Sequence, residues 1–134
     1  MTQGSYQCFR IGAGVLVAMG AAHLMGHLGG GKGQPANGME DQLRMLMETY
    51  RTNMMGTMRS TKEIYDGLSL AFSVFSFGLG ALAFTLPPQK KMSIVYAAML
   101  AVLTCISYLY WFAAPTAFLA ASAVLFGAAA LLDR

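Results

Sequence analysis

Four apolar runs, none containing a Lys, Arg, Asp or Glu, constrain this chain more than any other feature. They are Ile11 to Leu28, Gly67 to Leu86, Ser93 to Phe112 and Thr116 to Leu132. At about 17–20 residues apiece, they have the length a helix needs to cross a hydrocarbon core of about 30 Å. A segment in lipid must satisfy its backbone hydrogen bonds internally, so all four are expected to be helical. Nine basic and six acidic residues among 134 are too few to cover the surface of a soluble domain of this size. The expected fold is an all-α, four-transmembrane-helix bundle forming one integral membrane domain over residues 1–134, multi-pass in a bacterial inner membrane.

The first run also imitates a secretory signal, with Arg10 before it and the small residues Gly20, Ala21 and Ala22 within it. We read it as a retained first span. Pro87 and Pro88 end the second span, and Gln89, Lys90 and Lys91 make a basic turn. Ala113, Ala114 and Pro115 form the short turn between spans three and four. Connections this short predict antiparallel neighbours, so spans two to four should run as an up-down meander.

The connection between spans one and two is longer. Residues 29–38 hold five glycines and Pro35. After them an apolar stripe recurs at steps of three and four: Met39, Leu43, Leu46, Met47, Tyr50, Met54 and Met58. Such spacing predicts an extra amphipathic helix over about 39–62, lying at the interface or against the bundle. Six of the eleven methionines fall between Met39 and Met58, which suits an adaptable apolar surface.

An even number of spans puts both termini on one side. Arg10, Lys90, Lys91 and Arg134 mark that side, while Lys32, Arg44, Arg51, Arg59 and Lys62 mark the other with five acids among them. The basic Lys90-Lys91 turn favours cytoplasmic termini. The net charge of +3 is scattered, and with no dense basic patch nucleic acid is excluded as a partner. Cys8 and Cys105 are expected to be free thiols. The partners implied are the lipid bilayer and either other membrane subunits or further copies of this chain.

Chemistry concentrates at one corner. His23 and His27 share a helix face, about 6 Å apart along the axis. Glu63 and Asp66, three apart and flanking Tyr65, begin span two at the same membrane boundary. Two histidines facing two carboxylates form a candidate metal set for Zn, Fe or Mn: His23, His27, Glu63 and Asp66. The same four residues could equally form a structural polar cluster, or serve a proton or small-molecule role. A bis-His haem would need histidines on facing helices, hence a second copy or a larger complex. No nucleophile–histidine pairing or phosphate-binding glycine loop is present in the sequence, since Gly29 to Gly33 lacks the P-loop pattern. Catalytic residues and a cofactor are therefore not assigned, and whether the chain is an enzyme stays open.

Small residues recur every fourth position on span one (Gly14, Ala18, Ala22, Gly26, Gly30). Matching rows lie on span two (Ser69, Ser73, Ser76, Gly80, Ala83) and span four (Ala120, Ala123, Gly127, Ala130). They predict close helix approach, with Gly14 and Gly26 the positions most sensitive to a larger side chain. Tyr108, Tyr110, Trp111 and Phe112 read as an interfacial aromatic belt.

The segment Ala21-Ala22-His23-Leu24-Met25-Gly26-His27, with Met54-Met55-Gly56-Thr57-Met58 and Asp66-Gly67-Leu68-Ser69-Leu70, resembles a family of bacterial four-span membrane proteins, DoxX-like in size and layout. The resemblance covers spans one and two and their connection. It implies that His23, His27 and the polar start of span two belong to one pattern, and brings no activity with it. Two functions remain: a non-catalytic accessory subunit or self-assembling bundle, and a membrane protein binding a small ligand, lipid, quinone or metal at the His/carboxylate corner.

Overall fold

The computed structural model describes residues 1–30, 35–110 and 113–133. Lys32, Trp111, Phe112 and Arg134, used above for topology and the aromatic belt, lie outside them. The described residues form α1 (Gln3–Gly30), α2 (Gly38–Thr49), β1 (Arg51–Met54), β2 (Thr57–Ser60), α3 (Thr61–Thr85), α4 (Lys90–Tyr110) and α5 (Ala113–Leu132). Among them α1, α3, α4 and α5 are long and apolar enough to cross a membrane. Only 22–33% of each of these apolar stretches is buried, and Val74, Val95, Val102 and Val124 are 60–70% exposed. Water would not tolerate so much outward apolar surface, whereas acyl chains match it. The chain is a multi-pass integral membrane protein.

The helices begin before their apolar runs do, most of all in α1. Its first two turns carry Ser5 and Phe9, both fully buried. Ser5 donates through its hydroxyl to the Ala129 carbonyl, and Phe9 meets Phe126 edge-on at 5.0 Å. Arg10, half-buried, therefore lies beside the end of α3 near the terminal face. Its guanidinium donates to the Ala83 and Phe84 carbonyls in the last turn of α3, where unpaired carbonyls favour a cation. It also lies over the Tyr6 and Phe84 rings, at 5.1 and 5.7 Å.

The bundle order is α3–α1–α5–α4, with α1 packed on both α3 and α5. The expected meander holds for α4 and α5 but not for α3 and α4, which share little packing despite their short turn. Tyr96 bridges them by donating to the Leu79 carbonyl at 3.1 Å and stacks on Phe126 at 4.7 Å. Buried serines are absorbed by nearby acceptors, as lipid demands: Ser73 donates to the Ser69 carbonyl and Ser93 to the Gln89 carbonyl, while Ser107 pairs with Thr116 across α4 and α5. Thr2 donates to the Leu132 carbonyl and the Met1 ammonium lies 3.5 Å from Asp133. Both ends of the chain meet at one face.

The helix expected over 39–62 is corrected. It ends at Thr49, and a β-hairpin follows, with register Arg51↔Ser60 through Met54↔Thr57. Met55 and Gly56 have φ of 52° and 90°, the left-handed pair a two-residue hairpin turn requires and a helix forbids. Asn53 accepts from the Gly56 amide at 2.8 Å and fixes the turn.

Candidate functional site

At the face opposite the termini, α1, α2, α3 and the start of α5 line a broadly open cavity of about 940 Å³. Its position follows from how α3 begins. Ser60 accepts from the Glu63 amide at 3.1 Å, and Glu63 accepts in return from the Ser60 amide at 2.8 Å, a reciprocal cap that fixes where the helix starts. From that start, Lys62, Asp66 and Ser69 fall on one face and line the cavity. Asp66 accepts from the Lys62 ammonium at 2.6 Å.

His23 and His27 line the opposite wall from α1. A ring nitrogen of His23, Nε2, lies 3.1 Å from the Ser69 hydroxyl, and its ring meets Phe72 edge-on at 5.1 Å. His27 makes no hydrogen bond among the described residues. Helix α2 crosses the opening with Arg44 and Glu48 on one strip and Leu43 and Met47 on the next. Deeper in, Met19 on α1 and Phe118 on α5 supply apolar wall.

Three of the four expected residues thus line one cavity: His23, His27 and Asp66. Glu63 does not. Its carboxylate caps α3 and lies 3.9 Å from Arg59, because the third position of a helix reaches back to the cap rather than inward. Among the described residues no three His, Cys, Asp or Glu side chains gather as a metal-holding group.

Sequence reasoning missed Arg44, Glu48 and Ser69 as parts of this wall. The signal existed, since Glu40, Arg44 and Glu48 step by four beside Leu43 and Met47, giving α2 a charged strip along its apolar one. In the sequence, Ser69 reads only as a packing residue. The arrangement can hold an amphiphile, with charged and hydrogen-bonding groups at the rim and an apolar interior.

Comparison of the chain with protein-family models, with curated proteins and with solved structures finds no match.

Proposed function

We propose that this membrane protein is a non-catalytic binder of an amphiphilic small molecule or lipid, held in the cavity between α1, α2, α3 and α5. The observation that carries the reading is the union, in one cavity at the membrane boundary, of an apolar interior with a rim of His27, Lys62, Asp66, Arg44 and Glu48. A polar group in lipid is costly unless it has a partner, so a rim this polar beside acyl chains is suited to a headgroup. The test is native mass spectrometry of protein extracted in mild detergent. Wild-type protein should retain an amphiphile. Gly26→Leu, at a cavity-lining position whose added Cβ has no neighbour within 4 Å, should fold normally and lose it. Retention unchanged in that variant would sink the reading.

A second reading, a self-assembling or accessory subunit, is favoured by one observation. Ala18, Ala22 and Gly26 of the small-residue row are exposed and open to another helix. The same spectra read the number of protomers. Kinship with the DoxX-like four-span proteins remains a proposal, supported by the four-helix layout and by His23 pairing with Ser69 on α3. A bacterial inner-membrane location with cytoplasmic termini is likewise proposed, from Arg10, Lys90 and Lys91 at the terminal face. A metal bound by His23, His27, Glu63 and Asp66 together would require Glu63 to leave its cap.

A further inference from the structure

We infer that the cavity selects a phospholipid whose headgroup joins a phosphate to a primary ammonium. This rests on the amphiphile reading above and names the headgroup. The first argument is the balance of charge. Lys62 and Asp66 form an ion pair at the cavity wall, with side chains 42% and 38% exposed, so the pair stands open to an occupant. Arg44 and Glu48, one turn apart on α2, are its electrostatic neighbours. Glu40, the remaining carboxylate on the wall, is engaged by the Ala36 amide at 2.6 Å, at the start of α2. The opening is therefore flanked by two cations and three carboxylates, a rim of both signs with one negative charge in excess, and Glu40 is held back from an occupant by its bond to the Ala36 amide.

A lone anion beside Lys62 would also meet Asp66, and a lone cation beside Asp66 would meet Lys62. A zwitterion laid antiparallel to the pair gives each member an opposite charge at close range. Recognition by carboxylates further favours an ammonium with N–H donors over a quaternary one, which has none to give. The second argument is His27. It lines the same cavity, lacks a hydrogen bond among the described residues, and carries a ring N–H that a phosphate oxygen can accept. The third is depth. Met19 and Phe118 lie four and three residues, about one turn, further into the membrane along α1 and α5 than His23 and Pro115, where acyl chains would run.

The experiment offers delipidated protein phosphatidylethanolamine, phosphatidylcholine and phosphatidylglycerol of identical chains, and free phosphoethanolamine. Bound species are counted by native mass spectrometry. The ethanolamine lipid should be retained about tenfold over the other two, and this preference should vanish in K62Q and in D66N. Circular dichroism confirms that the variants are helical, and the wild-type ranking is decisive by itself. Equal retention of the three lipids overturns the headgroup assignment while leaving the amphiphile reading in place. Free phosphoethanolamine bound as tightly as the lipid overturns it in favour of a soluble zwitterion. Retention of no lipid by wild-type protein removes both.

Discussion

At Gly20 an added Cβ would stand 2.6 Å from the Phe77 amide nitrogen and 2.8 Å from the Ser73 carbonyl oxygen. At Gly80 it would meet the Ala13 carbonyl oxygen and the Val17 amide nitrogen, both at 2.8 Å. All four obstacles are helix backbone, which cannot step aside as a side chain can. Gly20→Ala and Gly80→Ala should each destabilise the bundle by about 1–3 kcal/mol, the usual cost of overpacking. Gly26→Leu should leave thermal stability in detergent unchanged, which reverses the expectation that Gly14 and Gly26 would be the sensitive positions. At Gly14 the nearest atom to an added Cβ is the Phe84 ring at 3.8 Å, an ordinary contact. The small-residue row was legible on α3, where Ser73, Ser76, Gly80 and Ala83 are all buried. On α1 it was misplaced for a geometric reason. A strict step of four drifts by about 40° per step around a helix of 3.6 residues per turn, so the row slides off the contact face. The true seam runs through Ala13, Val17 and Gly20. Equal thermal midpoints for Gly20→Ala and wild type would refute the seam.

The connection between α1 and α3 shows the same limit at the scale of elements. Met54 and Met58 continue the spacing of α2, and hydrophobic period alone cannot distinguish a helix from a coincidence of strand residues. Gly56 was the available signal. It sits inside the apparent stripe, where a helix gains nothing from it and a two-residue turn needs it. The start of α3 was more readable. Ser60 followed three residues later by Glu63 is the sequence form of a capping box, and its recognition would have withdrawn Glu63 from the proposed ligand set. Ser60→Ala should cost about 1 kcal/mol through loss of the cap. It should also fray the turn that carries Lys62 and Asp66, so lipid retention should fall along with the melting temperature. A variant with lower stability but full retention would separate the cap from the site. Of the corner itself, His23, His27 and Asp66 were legible because helix spacing and membrane depth fix them. The α2 wall was not, since it depends on how a separate element folds back across the opening.

For the whole molecule, span number and span type could be read because lipid leaves the backbone few options. Neighbour order could not, because connection length limits which helices can touch without deciding which do. The order α3–α1–α5–α4 makes the first and last spans the two inner ones, α1 flanked by α3 and α5, and α5 by α1 and α4. It also divides the protein into two antiparallel helix pairs, α1 with α3 and α4 with α5. Their shared surface is chiefly the seam between α1 and α5, where Ser5 donates to Ala129 and Phe9 packs on Phe126. The Pro87-Pro88 turn links the pairs, while little packing between α3 and α4 reinforces it. A bundle built this way need not be a single continuous polypeptide. Residues 1–86 and 87–134, co-expressed as separate chains, should each insert as a helical hairpin, find one another in the membrane and co-purify as a functional whole. Phe9→Ala in the first fragment should prevent that reunion, whereas a change at outward-facing Val95 in the second should not. The covalent link between the halves would then serve to keep them at equal numbers, with recognition left to the first and last spans.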